Sequence, residues 1–345
     1  MRQERQGTGK HTGKDTGKGK GTAAVIGAGP CGRMTAQRIA ESDLFDTVVL
    51  TDVIDGLAEG IALDINQSRP IVGFETTMAG RTTRTADAAG AIAGAEVVVL
   101  AAGAPPDPSG GRPVRENGRI VREAAETIAR HAPDAVVIVM TDPVDVMTAL
   151  AGEATGFHPS RVLGQSVLLD AARFADFVAG PLAVPRSVVA AVTVGSHAHG
   201  DAMVPLLSTA TVAGTPLTSL LDPARLAEAV AATRRGGSDV ARLTGGHSSF
   251  HAPSAAAARM VRAVKEDDGT VLPVCAFVDG PYGIRGVWIG VPARLGRKGV
   301  LDVVELPLDE AEYGALADAA RVLRAAQDQA RTAVFDQRRT EGGTA

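Results

Sequence analysis

A chain of 345 residues is longer than one hydrophobic core usually organises, so its length predicts two domains with a cleft between them. A formal charge of −4 and 45% hydrophobic residues describe a soluble globular protein without the broad basic surface that nucleic acid selects, and no apolar run is long enough to span a bilayer. The two cysteines, Cys31 and Cys275, form neither a zinc motif nor a disulfide framework, which suits a reducing compartment and predicts a cytoplasmic protein.

Residues 1–21 repeat Gly, Thr and Lys, contain no aliphatic residue after Met1, and carry six Lys/Arg against two Asp/Glu. They lack both core-forming side chains and the apolar centre of a secretory signal, so a disordered, solvated tail is expected. From Thr22 onwards, short aliphatic runs at 23–26, 48–50, 97–100 and 135–140 alternate with longer mixed segments. Unbroken apolar character in such runs predicts strands buried on both faces, as in a parallel sheet. Ile120, Val121, Ala124 and Ile128 share one helical face between the last two runs, so the series is β-α-β.

Directly after the first run stands Gly27-Ala28-Gly29-Pro30-Cys31-Gly32, and Asp52 ends the second run twenty residues further on. In that strand-turn-helix context Gly27, Gly29 and Gly32 would let the backbone approach a pyrophosphate seated on a helix N-terminus. Asp52 would accept hydrogen bonds from ribose hydroxyls and repel a 2′-phosphate, which selects NAD over NADP. Residues 22–150 are therefore expected to form a doubly wound, NAD-binding Rossmann domain. Cys31, inside the turn with no second thiol nearby, reads as packing.

After residue 150 the runs at 188–194, 271–278 and 300–306 are longer, β-branched and punctuated by Gly and Pro. They predict a mixed α+β domain over 151–336, packed by alanine-rich helices after Pro253 and Asp309, with a flexible end at 337–345. Leu169-Asp170-Ala171-Ala172-Arg173-Phe174 places Asp170 and Arg173 one helical turn apart, and His199-Gly200-Asp201 follows the run that ends at Val194. An acid, a base and an anion clamp result.

Gly27–Gly32, Asp52, residues 56–64, Asp142 to Thr148, Asp170 to Phe174, His199 to Pro205 and Gly280 to Gly283 together resemble the lactate/malate dehydrogenase family, especially malate dehydrogenases that look like lactate dehydrogenase. The resemblance covers about residues 22–330. It implies reversible NAD-dependent oxidation of a short 2-hydroxy acid to its 2-oxo acid by a homodimer or homotetramer. By the same resemblance His199 is the acid/base, with His197 as the fallback, and Asp170 orients its ring. Arg173 holds the substrate carboxylate through two parallel charge-assisted bonds. Arg112, counted from Gly103, is the loop arginine that polarises the substrate carbonyl on closure.

Four departures bear on the substrate. Pro106 stands where malate dehydrogenases carry an arginine for the second carboxylate, and the loop is two residues shorter than usual. Thr141-Asp142-Pro143 replaces Thr-Asn-Pro, exchanging an amide donor for an acceptor-only carboxylate at a substrate position. Gly195-Ser196-His197-Ala198-His199 is longer than the usual Gly-Gly-His or Gly-Glu-His. Gly246-His247-Ser248-Ser249-Phe250-His251 replaces a pocket wall, where Ser248 or Ser249, with Ser249 assigned, faces the substrate side chain. These changes point to malate or a specialised analogue whose far end is neutral or cationic. Two other readings are a catalytically degenerate NAD-binding regulator and an NAD-dependent glycosidase with a metal held by His197, His199, His247 and His251; the assignment made is a dehydrogenase with no metal.

Overall fold

The computed structural model describes residues 19–83, 90–104, 113–246 and 248–336. Expectations for the tail at 1–18, for Pro106, Arg112 and His247, and for residues 337–345 fall outside the described residues. The first half runs β1 (Thr22–Ile26), α1 (Pro30–Glu41), β2 (Thr47–Asp52), α2 (Leu57–Val72), β3 (Thr77–Thr82), β4 (Val97–Leu100), α3 (Val114–His131), β5 (Val136–Val139), α4 (Val144–Thr155), β6 (Val162–Gly164) and α5 (Ser166–Leu182).

Strands β3-β2-β1-β4-β5-β6 form one parallel sheet in that order, with Ala24 opposite Val49 and Val98, and Val98 opposite Val137. Both faces of β1, β2, β4, β5 and β6 are buried, which explains the unbroken aliphatic runs, whereas the edge strand β3 exposes Thr77 and Arg81. Val25, Val99 and Ile138 point to a core shared with α1, whereas Ala24, Val98 and Val137 point to a second core under α3 and α4. Burying one such valine or isoleucine contributes roughly 1.5–3 kcal/mol. On α3 the buried apolar stripe is Val121, Ala125 and Ile128; of the face expected from the sequence, Val121 and Ile128 are buried, while Ile120 and Ala124 are only partly buried. Strand order reverses between β1 and β4, which opens a crevice at the carboxyl ends of the strands.

The second half comprises β7 (Val189–Ala190), β8 (Thr193–Gly195), β9 (Met203–Pro205), β10 (Thr211–Val212), β11 (Thr215–Pro216), α6 (Pro223–Leu243), α7 (His251–Glu266), β12 (Val271–Val278), β13 (Val287–Gly296), β14 (Gly299–Val303) and α8 (Glu310–Phe335). β12 joins β6 antiparallel, Cys275 facing Gly164, and β13, β8 and β9 continue the sheet. The run 188–194 is not one strand: it switches sheets, Val189 pairing with Val212 in a small three-stranded sheet while Val194 pairs with Val204 in the large one. Of 300–306, only the residues up to Val303 lie in β14.

Both alanine-rich segments are helical. α8 starts at a capping box in which Asp309 accepts from the Glu312 backbone N–H and Glu312 accepts from that of Asp309. The sequence reading did not anticipate α6. Its signals were Asp222 as N-cap, accepting from Arg225 N at 2.9 Å, and Pro223 in the first turn.

Candidate active site

The glycine turn separates into positions that build the fold and one that leaves room. Gly27 has φ +102°, and a β-carbon there would lie 2.6 Å from the Ala102 backbone nitrogen; on Gly32 it would lie 1.7 Å from the Gly27 carbonyl oxygen. These two glycines let β1, β4 and α1 meet. At Gly29 a β-carbon would have nothing within 4 Å. That open cradle, at the N-terminus of α1, fits a pyrophosphate. Asp52 ends β2, where its carboxylate accepts from Ala28 N at 2.6 Å and Ile54 N at 3.0 Å. It braces the turn, and the lone pairs left over are what a ribose would use. Burial, followed by the charge of Asp142, pushes the Cys31 thiol up to about 11, so it stays protonated, with Sγ 3.6 Å from the Ser249 carbonyl.

Across the crevice, α5 carries Asp170, fully buried, and Arg173 one turn later. Asp170 Oδ1 accepts from Arg173 Nη1 at 3.2 Å, and Asp170 Oδ2 pairs with His197 Nδ1 at 2.8 Å. The expected contact between Asp170 and His199 is not the one formed. The residue that faces the buried carboxylate is His197, whereas the His199 ring nitrogen lies 3.2 Å from the Ser196 hydroxyl. The turn after β8 is tight enough that His197, two residues past Gly195, already reaches α5, and the extra Ala198-His199 is carried beyond it into the short turn at 200–202. With His197 in this place Gly195-Ser196-His197 has the family's three-residue length, and Gly200-Asp201 comes two residues late.

The His197 side chain is 13% exposed. Burial works against its imidazolium, but the charge and hydrogen bond of Asp170, aided by Asp142 and Asp145, outweigh it and raise the pKa above the ordinary histidine value. Arg173 Nη2 reaches Ser249 Oγ at 3.5 Å, the limit of a hydrogen bond, which brings that serine to the clamp. Ser248, by contrast, is exposed. The Arg173 stem lies against α6 where Gly236 leaves space, since a β-carbon there would sit 2.9 Å from Arg173 Cδ.

Asp142 is exposed at the mouth of the crevice, and its backbone carbonyl accepts from Asn117 Nδ2 at 2.7 Å. Asn117 also accepts from Ala104 N at 2.7 Å, so it ties the end of β5 to the chain following β4. Sequence reasoning missed Asn117, the Gly236-Gly237 pair, and Asp145 with Ser196, although Asp145 lies inside the quoted 142–148 run. No group of three or more potential metal ligands is found among the described residues, and no described helix is long and apolar enough to cross a membrane.

A parallel sheet in this strand order, with an open glycine turn at its switch point and a His-Asp-Arg cluster across the crevice, defines the class of dinucleotide-dependent dehydrogenases. Comparison with known proteins gives the family. Residues 22–164 match the lactate/malate dehydrogenase NAD-binding domain, and 168–334 match the α/β C-terminal domain of the same family. The chain is 40% identical to a malate dehydrogenase of Methanosarcina barkeri over 303 residues, 87% of this chain and 96% of that protein. It superposes on malate dehydrogenase from Salinibacter ruber with a TM-score of 0.84 at 37% identity, covering 93% and 99% of the two chains. For a Cryptosporidium parvum lactate dehydrogenase complexed with lactic acid and nicotinamide adenine dinucleotide, the TM-score is 0.83 at 33% identity, covering 90% and 97%. The chain belongs to the lactate/malate dehydrogenase family. It is an NAD-dependent oxidoreductase acting on the CH–OH group of a 2-hydroxy acid.

Proposed function

We propose that His197 exchanges the proton of the substrate hydroxyl, that Asp170 holds its ring, and that Arg173 binds the C1 carboxylate. The observation that carries this reading is Asp170 gripping His197 and Arg173 through its two oxygens, at 2.8 and 3.2 Å. With Nδ1–H directed at Asp170, Nε2 is the atom left to face substrate. Arg173 presents a planar fork that fixes a carboxylate in orientation, which sets C2 relative to Nε2. NAD, when bound, supplies the acceptor or donor of the C2 hydride. Gly27, Gly29, Gly32 and Asp52 form its site within residues 22–150, and 151–336 supply the acid/base and the clamp. Ser249 borders the clamp, and Arg112 is assigned to the substrate carbonyl on the family resemblance.

The substrate's far end is neutral, or carries a donor or a cation. Pro106 supplies no charge for a second carboxylate, and Asp142 contributes negative charge that acts on both Cys31 and His197. Initial rates of NADH consumption with oxaloacetate, pyruvate and larger neutral or amino-bearing 2-oxo acids test this. A neutral or amino-bearing acid should be preferred, and turnover of oxaloacetate far above every other acid would refute it. The enzyme acts in the cytoplasm as a homodimer or homotetramer. The exposed Leu63, Ile71 and Val72 of α2 support the assembly, Ile71 being 88% exposed in the single chain. A monomeric mass in light scattering would contradict it.

A further inference from the structure

Behind His197 lies a second buried carboxylate that the reaction itself does not use. Asp145, on the first turn of α4, is fully buried. It accepts from Ser166 Oγ at 2.5 Å, from Ser196 Oγ at 2.8 Å and from the backbone N–H of His197 at 2.9 Å. Its charge and hydrogen bonding also act on the Cys275 thiol, which burial raises well above its ordinary value. These donors come from the start of α5, the turn after β8, and β12. One carboxylate on α4 therefore ties together the start of α5, the turn that carries His197, and β12. Ser196 is itself fully buried, and its oxygen accepts from the backbone N–H of His199 at 3.3 Å while donating to Asp145. It stands where the family pattern has glycine or glutamate, so this hydroxyl link is a feature of the present chain.

We infer that Asp145 and Ser196 form a positioning unit that holds the backbone and ring of His197 in register with Asp170. The inference rests on His197 being the acid/base, as proposed above. Asp170 restrains the ring through Nδ1 alone, and one hydrogen bond leaves the backbone free to shift along α5. The bond from His197 N to Asp145 removes that freedom, and Ser196 anchors the preceding residue to the same oxygen, Oδ2. Misplacing a reacting group by about 1 Å can cost on the order of 10²-fold in rate. Asp145 also adds its charge to that of Asp142 and Asp170 around the imidazolium; Arg173, on Asp170, is the cation of this cluster, and His199 is the other titratable group on the same turn.

The test is the pH profile of kcat/KM for 2-oxo acid reduction in the full-length enzyme, with NADH binding by fluorescence in parallel. Asp145→Asn should lower kcat about tenfold or more and move the alkaline fall in rate to lower pH, because one negative charge near His197 is gone while Asp142, Asp170 and Arg173 remain. Ser196→Ala keeps that charge. It should lower kcat several-fold with the alkaline limb in place and KM little changed. NADH binding should be preserved in both. An unmoved alkaline limb in Asp145→Asn overturns the inference, as does wild-type kcat in Ser196→Ala, which decides the matter alone if Asp145→Asn does not fold. Full activity of His197→Asn would instead remove the acid/base assignment on which the inference rests.

Discussion

Replacing each histidine of the turn by asparagine separates their roles. In His197→Asn the amide nitrogen falls close to the position of Nδ1, so Asp170 Oδ2, 2.8 Å away in the wild type, keeps a donor and the buried carboxylate stays partnered. What disappears is Nε2, the atom proposed to face substrate. General acid/base help is worth about 10² to 10⁴ in rate, or roughly 2.7 to 5.4 kcal/mol of barrier, so kcat should fall by that factor. His199→Asn removes only a ring contact to the Ser196 hydroxyl at 3.2 Å. A neutral hydrogen bond is worth about 0.5–1.5 kcal/mol, which bounds the loss at about tenfold. The assay is steady-state NADH consumption with the preferred 2-oxo acid, alongside NADH binding and a thermal melt to show that both variants are folded. If His199→Asn loses as much as His197→Asn, or if His197→Asn keeps more than about a tenth of kcat, the assignment is wrong.

Arg173→Lys should reduce kcat/KM by about 10- to 100-fold, mostly through KM, because an ammonium cannot hold Asp170 and a substrate carboxylate in one plane; a change below threefold would show that the clamp lies elsewhere. Gly29→Ala should leave the melting temperature unchanged while weakening NADH binding, whereas Gly32→Ala, whose β-carbon meets the Gly27 carbonyl, should destabilise the fold itself; equal NADH affinity in Gly29→Ala and wild type would move the pyrophosphate off this turn. The raised His197 pKa makes a stability contribution that is complete below the unfolded value of about 6.5 and is lost as pH rises through the folded value. Melts across that range should show the wild type losing stability relative to His197→Asn as pH increases, and a constant difference would contradict the charge balance. Asp142→Asn should relax discrimination against dicarboxylates: like charges about 6 Å apart at an effective dielectric of 20 repel by about 3 kcal/mol, so the oxaloacetate-to-pyruvate ratio of kcat/KM should rise up to about 10²-fold. An unchanged ratio would mean that Asp142 does not face the substrate's far end.

Much of this architecture was legible because the parallel strands obey simple rules. Val97 to Leu100 and Val136 to Val139 are buried on both faces, so their apolar character is continuous and their boundaries stand out. The glycine turn was readable for the same kind of reason, since Gly27 and Gly32 occupy places where a β-carbon collides with backbone. The run 188–194 misled because composition does not record a change of partner sheet between Ala190 and Thr193. Helix α6 escaped notice because Gly236-Gly237 breaks its pattern, and only the tertiary contact with Arg173 explains why glycine is there. Choosing between His197 and His199 required knowing how far the turn after β8 travels before it meets α5. The Gly-Asp that follows His199 suggested one answer, and the contact of the buried Asp170 with His197 supports the other.

That one carboxylate serves both halves of the site has a consequence for catalysis. Asp170 divides its charge between Arg173 through Oδ1 and His197 through Oδ2. When a substrate carboxylate binds Arg173, it competes with Asp170 for the guanidinium, and the charge that Asp170 no longer shares is left to stabilise the imidazolium. The bound anion favours the same protonation state directly. On the roles proposed for Arg173 and His197, substrate binding and protonation of His197 are therefore coupled with one sign: the 2-oxo acid should bind best to the protonated enzyme, the form able to donate the proton that reduction consumes. On the same proposal, in the oxidative direction the 2-hydroxy acid would meet a neutral imidazole, and the same Asp170 would stabilise the charge that develops when His197 takes up the proton. The full burial of Asp170, whose partners Arg173 and His197 are themselves mostly shielded from solvent, strengthens this coupling, because the charges it links are screened less there than they would be at the surface.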